Sequence, residues 1–578
     1  MEGYCAEVTL AGLKGTVRDL RHLARRPAFW LWIAPMAFLA YFFFYPLASI
    51  FLLTGQTARG GLEQVNFWQD VWPALSFTVW QAALSTLLTL IVGLPAAFLF
   101  ARFRFRGKAL LRILTTLPFI LPTVVAAAGF NALIGPHGWI NLLLMGLFNL
   151  QEPPVQMLNG IGVILLAHVF YNTTIVIRVV GSAWAQLDLR LEQAGRQLGA
   201  STWRTFREIV FPLLRPAILA ATVLVFLFDF TSFGVVLLLG GPHYATLEVE
   251  IYIQTLQMLN LPVAGLLSIL QLLMTFSLGW LSSVAGGNQR IPLLPKLKGE
   301  GMRYPARLSE KVFVAGMAVF LILLLVLPLL ALGASSVTRL EANRAQSGPF
   351  ETGLTLEYYQ ELFVNPRQSI FYVPPVEAAR NSIAYALVAV GLSVGIGLLA
   401  SLALNRKLWV NRIFGPLLML PLGASAVTLG LGFLIIFNRP PIDVRSFPLL
   451  VPIAHSLVAL PFVVRIIQPA MASIPSNLRQ AAAVMGAAPW RVWLEVDLPV
   501  IGRAILVGSI FAFTISLGEF GATSFLARPE TPTMPIAISR FLSLPGALNY
   551  GQALAMATIL MVICGVSIFI MERVNLEE

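Results

Sequence analysis

Two carboxylates, Asp229 and Glu519, fall inside long apolar stretches of this 578-residue chain. A charge there is costly in hydrocarbon, so each must face protein or water, and both are suited to attracting a cation. Counting a 1.5 Å rise from Arg503, Glu519 lies roughly 24 Å along its helix, nearer the outer face than the midplane. That depth suits an outer gate or cavity; the competing reading is that Glu519 only hydrogen-bonds nearby backbone. His168 and His455, 287 residues apart, read as packing residues with one satisfied nitrogen each, outside the candidate site. The chain has five His, and the sequence offers neither a credible metal cluster nor a nucleophile–base pair. No G-x-x-x-x-G-K-[ST] stretch occurs to cradle nucleotide phosphates. The chain therefore reads as a non-enzyme that binds no cofactor of its own.

The elements that carry these residues are membrane helices. A mean hydropathy of +0.80, with 57% hydrophobic and only 11% charged residues, does not describe a water-soluble surface. A helix needs about 20 apolar residues to cross about 30 Å of hydrocarbon. Twelve such runs occur: Phe29 to Leu53, Leu75 to Ala101, Ile113 to Ile134, Gly160 to Val180, Pro216 to Gly240, Pro262 to Val284, Val312 to Ala334, Ala379 to Leu404, Phe414 to Phe437, Pro448 to Ala470, Arg503 to Ala527 and Ala547 to Met571. The expected fold class is an all-α integral membrane protein of two tandem six-helix repeats, 29–284 and 312–571. A segment 1–28 precedes them, a linker 285–311 rich in Gly, Pro and basic residues joins them, and a tail 572–578 follows.

The net charge of +12 raises the question of nucleic acid, and the loops answer it. With the N-terminus inside, 30 of the 39 Lys and Arg residues fall on the cytosolic side. This is the positive-inside bias, which predicts both termini in the cytosol and makes a nucleic-acid partner unnecessary. Residues 1–28 lack the apolar core and cleavage site of a signal peptide, so the first span is expected to stay as an anchor. No disulfide is expected between Cys5, in the tail before it, and Cys564, in the last span.

The two halves repeat in register. A separation of 287 residues links His168 to His455, Arg178 to Arg465, Gly199 to Gly486, Trp203 to Trp490, Pro212 to Pro499 and Gly234 to Gly521. Leu117-Pro118 matches Leu420-Pro421 at 303 and Pro46 matches Pro328 at 282, the shifts falling in external loops of different length. Repeats with an even number of spans share one orientation, so their axis runs along the membrane normal and the pore is expected between them.

After the fourth span of each half comes a cytosolic segment, QLDLRLEQAGRQLGASTWRTFREIVFPLLRPAI and ASIPSNLRQAAAVMGAAPWRVWLEVDLPVIGRAI. Each reads helix, glycine break, helix, proline. The pattern resembles the EAA loop of binding-protein-dependent ABC importers. Gln193-Ala194-Gly195 and Gln480-Ala481-Ala482 take the Glu-Ala-Ala positions, Gly199 and Gly486 the glycine, and Phe211-Pro212 and Leu498-Pro499 the Leu-Pro, with Gln replacing Glu in both halves. The resemblance implies the type I importer permease fold in a bacterial or archaeal plasma membrane. It also implies that these loops, with Trp203-Arg204 and Trp490-Arg491, couple to two copies of a nucleotide-binding ATPase subunit. ATP and magnesium would sit on that partner, and one extracytoplasmic binding protein would deliver the solute.

Beyond the loops, SFTVWQAALSTLLTL, GVILLAHVFYN, SFGVVLLLGGPHYATLEVEIY and SLGEFGATSFL followed by TMPIAISRF are similar to fused thiamine permeases and to ferric-iron permeases. Gly240 to Tyr252 favours thiamine. The iron branch is the alternative, through the Thr533 to Pro535 element, and Asp229 and Glu519 on the pathway suit either cation. The rival from another class is a gradient-driven carrier, which shares the count of twelve spans but needs no paired docking loop and normally keeps more than two intramembrane ionisable groups.

Overall fold

The apolar runs fold as helices, since a backbone in hydrocarbon must satisfy its own N–H and C=O groups. The computed structural model describes residues 27–58, 67–241, 243–285, 302–339, 353–364, 373–406, 408–439, 442–443 and 447–576. Residues 1–26 with Cys5, linker residues 286–301 and tail residues 577–578 lie outside them. Among the described residues, ten helices are long and apolar enough to cross a membrane unbroken. Twelve spans result when two bent pairs, Lys108–Ile120 with Thr123–Phe148 and Asn411–Gly423 with Ala426–Ile436, count as one each.

Those bends correct two of the expected straight spans. The Ile113 to Ile134 run turns by 111° and the Phe414 to Phe437 run by 97°. In the first half Leu121 precedes a proline, which disfavours helical backbone, and it is extended at ψ 139°. The hydroxyl of Tyr171 donates to the Pro122 carbonyl at 3.1 Å, which also accepts the Val125 N–H of the next helix. In the second half Ala424 and Ser425 are extended, and the Ser425 hydroxyl caps the next helix at the Val427 N–H, 3.1 Å away.

Two further runs are shorter as helices than the sequence suggested. The run to Gly240 stops at Phe230 and restarts as Gly234–Leu239, and the run to Ala527 stops at Gly518 and restarts as Gly521–Leu526. Glu519, expected inside a span, therefore sits in a break between two helices.

The repeat holds at the level of packing. Gly93 lets Trp68–Arg102 close on Ile161–Gln186, because a Cβ there would lie 2.6 Å from that of Val176. Gly397 does the same for Pro375–Leu404 against Val463 of Leu450–Ala472, at 2.9 Å. The halves also exchange their first spans. Pro46 packs on Gly432 of the second half's bent span, and Pro328 on Gly129 of the first half's. The indole N–H of Trp32 donates across the same interface to Asn411 at 3.0 Å.

Candidate functional site

The two helix–glycine–helix loops have the same backbone. Leu189–Gln197 ends with Gly199 at φ +84°, and Ser476–Val484 ends with Gly486 at φ +86°. In each, the N–H one residue past the glycine reaches back five residues: Ala200 to the Gly195 carbonyl and Ala487 to that of Ala482, both at 3.0 Å. This is the Schellman ending, which needs a left-handed residue at the glycine position. Gln193, Ala194, Gln480 and Ala481 are exposed, while Gly195 and Ala482 are buried against the molecule. Trp203 and Trp490 are 70% and 60% exposed, beside Leu198 in one loop and Val484 and Met485 in the other. Each loop thus presents an exposed apolar surface, with Trp203 also stacked on Phe206 at 5.8 Å. Arg204 is held by Glu208 at 3.1 Å and Arg491 lies over the Trp490 ring. Pro212 and Pro499 sit near the start of the next span's helix, where a missing N–H is harmless.

The loops are tied to the spans by ion pairs of opposite sense. Glu192 accepts from Arg102, at the end of Trp68–Arg102, whereas Arg479, which matches Glu192 at 287, donates to Asp497 at 2.7 Å. Arg104 donates its N–H to the carbonyl of Arg303 at 2.9 Å. The basic segments 102–112 and 302–311 thereby meet the loops at one end of the molecule.

The second feature is the space between the halves. A cavity of about 350 Å³ is lined by Thr123, Gly234, Ser425 and Gly521, where four short helices begin, and by Glu248 and Glu519. Beside it a second cavity of about 320 Å³ is lined by His168, Asn172, Asp229 and several phenylalanines. Asp229 and Glu519, both expected on the pathway, line different cavities. Glu519 Oε1 accepts from the Ala522 N–H at 2.8 Å and Oε2 from the Thr523 N–H at 2.9 Å and the Thr523 hydroxyl. It caps the short helix after it. Asp229 Oδ1 accepts from Asn172 at 2.6 Å, and Oδ2 has no hydrogen-bond partner among the described residues.

The histidines were read as packing residues with one satisfied nitrogen, and here both ring nitrogens of each are engaged beside an acid. His168 Nδ1 is 2.9 Å from Ser85 and 3.5 Å from Asp229, with Nε2 2.7 Å from Ser232. His455 Nδ1 is 2.7 Å from Ser516, with Nε2 2.8 Å from Thr523 and 3.3 Å from Glu519. Residues 229 and 516 match at 287, as do 232 and 519. Acid and hydroxyl have exchanged places around the same imidazole.

Sequence reasoning missed Glu248. It lies in Leu247–Tyr252, buried, and accepts from Gln271 at 2.6 Å. It joins Glu519 as a buried acid lining the cavity between the halves.

The comparisons with known proteins follow the same lines. The family model for the binding-protein-dependent transport system inner membrane component matches residues 90–343 and 393–575. The chain is 27% identical over 528 residues to the thiamine transport system permease protein ThiP of Escherichia coli K12, covering 88% of this chain and 91% of that one. It is 26% identical over 551 residues to ThiP of Haemophilus influenzae, with 92% and 94% covered. A probable ABC transporter permease protein, y4fN of Sinorhizobium fredii, is 27% identical over 509 residues, with 85% of each chain covered.

Proposed function

This chain belongs to the family of binding-protein-dependent transport system inner membrane components, and from that premise we propose that it carries thiamine inward through the space between its halves. It is an ABC importer permease with both halves in one polypeptide. In our reading two ATPase subunits dock on the paired loops, one on Gly199 with Trp203 and one on Gly486 with Trp490. ATP-driven closure of those subunits draws the loops together and opens the cavity to a binding protein outside; hydrolysis reverses it. Arg102–Glu192 and Arg479–Asp497 transmit that movement from each loop to its spans. Both termini face the cytosol in this reading.

The observation that carries the proposal is the loop pair: two Schellman-ended helices in register, each with an exposed tryptophan and apolar neighbours. Thiamine is supported by the likeness to the two ThiP permeases. The test is made with the complete complex in vesicles, together with its cognate binding protein. Thiamine, its phosphates and ferric iron are each titrated and their ATP-dependent uptake followed. Thiamine is expected to bind and enter. If ferric iron binds with Tyr-to-metal charge transfer and thiamine neither binds nor enters, the iron alternative replaces this one.

A further inference from the structure

We infer that the cavity around Asp229 is a one-sided transit site for a flat organic cation, an inference that rests on reading the chain as a cation importer. Asp229 is fully buried at the end of Thr202–Phe230. Asn172 satisfies Oδ1, and Oδ2 has no partner among the described residues. A carboxyl taken out of water this far either stays neutral or needs an opposite charge to complete it, and an arriving cation supplies that charge. The cavity that it lines, about 320 Å³, also presents Phe119, Phe228, Phe233, Phe462 and Phe511.

Two pairs of these rings are already in contact, Phe119 with Phe228 at 6.2 Å and Phe462 with Phe511 at 5.2 Å between centroids. Aromatic faces attract a cation through the ring quadrupole and stack on a flat one. A hard metal ion takes several oxygens, carboxylates foremost. Here the lining has a single carboxylate, with only neutral amide, hydroxyl and imidazole groups beside it, among five phenyl rings.

The site has no counterpart in the other half. Ser516 stands at the position of Asp229, and Ile515, Ile175 and Leu224 stand where Phe228, Phe462 and Phe511 have their matches. The second half's acid, Glu519, has both oxygens occupied by its own chain. Fusion of the halves into one polypeptide permits this divergence, because each can change alone. His168 is fixed between Ser85 and Ser232, with Nδ1 3.5 Å from the Asp229 carboxyl.

The test uses the permease with its ATPase in nanodiscs and no binding protein. Equilibrium dialysis of labelled thiamine, and of N-methylpyridinium as a minimal flat cation, reads binding directly. Saturable binding is expected for both, weakened at least tenfold in Asp229→Asn. A second variant, Phe462→Leu with Phe511→Leu, keeps apolar bulk and removes the rings; it is expected to weaken binding too, and it decides the matter if Asp229→Asn misfolds. Absence of saturable binding to the unmodified protein, or unchanged affinity in a folded variant, overturns the inference. If N-methylpyridinium binding depends on Asp229 while thiamine neither binds nor enters vesicles, the site stands and the thiamine reading falls. If thiamine enters vesicles but neither cation binds in nanodiscs, the site falls and the thiamine reading stands.

Discussion

Phe233 and Phe520, 287 residues apart, stack on one another with ring centroids 5.5 Å apart and planes 29° from parallel. Equivalent residues of two related halves can touch only near the axis that relates them. Both lie in a helix break, and Tyr252 extends the cluster, 5.5 Å from Phe233 and 5.8 Å from Phe525. The stack lines the cavity that also holds Glu248 and Glu519, so any passage along the axis has to separate the two rings.

Alanine at Phe233 or Phe520 should therefore favour the open pathway. A stacked aromatic pair is worth about 0.5–1.5 kcal/mol beyond its buried area, which predicts a roughly 2- to 10-fold rise in ATPase activity without binding protein. The double variant should rise little beyond either single one, since one contact is lost in all three. Additive effects would show that the rings act separately and do not form a gate.

The helices, the repeat and the paired helix–glycine–helix loops were legible because hydropathy, a constant 287-residue offset and turn chemistry are all local signals. The breaks were not. Thr231 to Phe233 and Glu519-Phe520 lie in long, mostly apolar runs with no proline to mark the stop, and only packing shows that the helix ends there. Glu248 was hidden for a related reason: it stands two residues from Glu250 in a segment that reads as an external loop, and its burial depends on Gln271 from another helix. The histidines were visible as a pair, but their acids lie 61 and 64 residues away and at exchanged positions. A search for matching residue types at one offset passes over such an exchange.

Gly195 departs from the Ala of its counterpart Ala482, and the reason lies opposite it. A Cβ on Gly195 would come within 2.7 Å of Ile209 Cδ1, whereas the residue matching Ile209 in the second half is the smaller Val496. One methyl has moved across the contact. Gly195→Ala should lower the thermal midpoint modestly, because Ile209 must turn its terminal methyl aside at about 0.5–1.5 kcal/mol, and loosen the ATPase subunit. Adding Ile209→Val should restore both. Failure of the second change to rescue would refute a direct steric contact.

Gly199 and Gly486 have open space where a Cβ would go, so their requirement for glycine is a matter of backbone alone. Alanine at either should cost roughly 1–2 kcal/mol of loop stability, and asparagine less, because it tolerates the left-handed region. The measure is co-purification of the ATPase subunit with each variant. Valine retaining a full complement of ATPase would remove the argument that the Schellman turn shapes the docking surface.

The ion pairs offer a charge-reversal test. Glu192→Arg should break the contact with Arg102, and Arg102→Glu in addition should re-form it with the sign inverted, as the second half already does with Arg479 and Asp497. Charged hydrogen bonds contribute about 1.5–3 kcal/mol when sheltered, and partial exposure of Glu192 puts this pair at the lower end. ATPase stimulation by binding protein is the readout. Stimulation should fall in the single variant and return in the double one; equal stimulation in all forms would remove this pair from the coupling route.

Glu519 tests two readings of one buried acid. As a cap, its carboxylate accepts the N–H groups of Ala522 and Thr523 at the start of Gly521–Leu526 and also the Thr523 hydroxyl. Glutamine in its place keeps one acceptor but turns an NH2 group toward a backbone N–H, leaving a buried donor unmet at a cost of about 1–3 kcal/mol. Glu519→Gln should therefore lower the thermal midpoint of the complex by several degrees, and Glu519→Ala by more. A residue that instead attracts the cation in transit should lower uptake at an unchanged midpoint. The structure favours the first outcome because both oxygens are occupied by the chain itself, and the second would return Glu519 to the pathway beside Asp229.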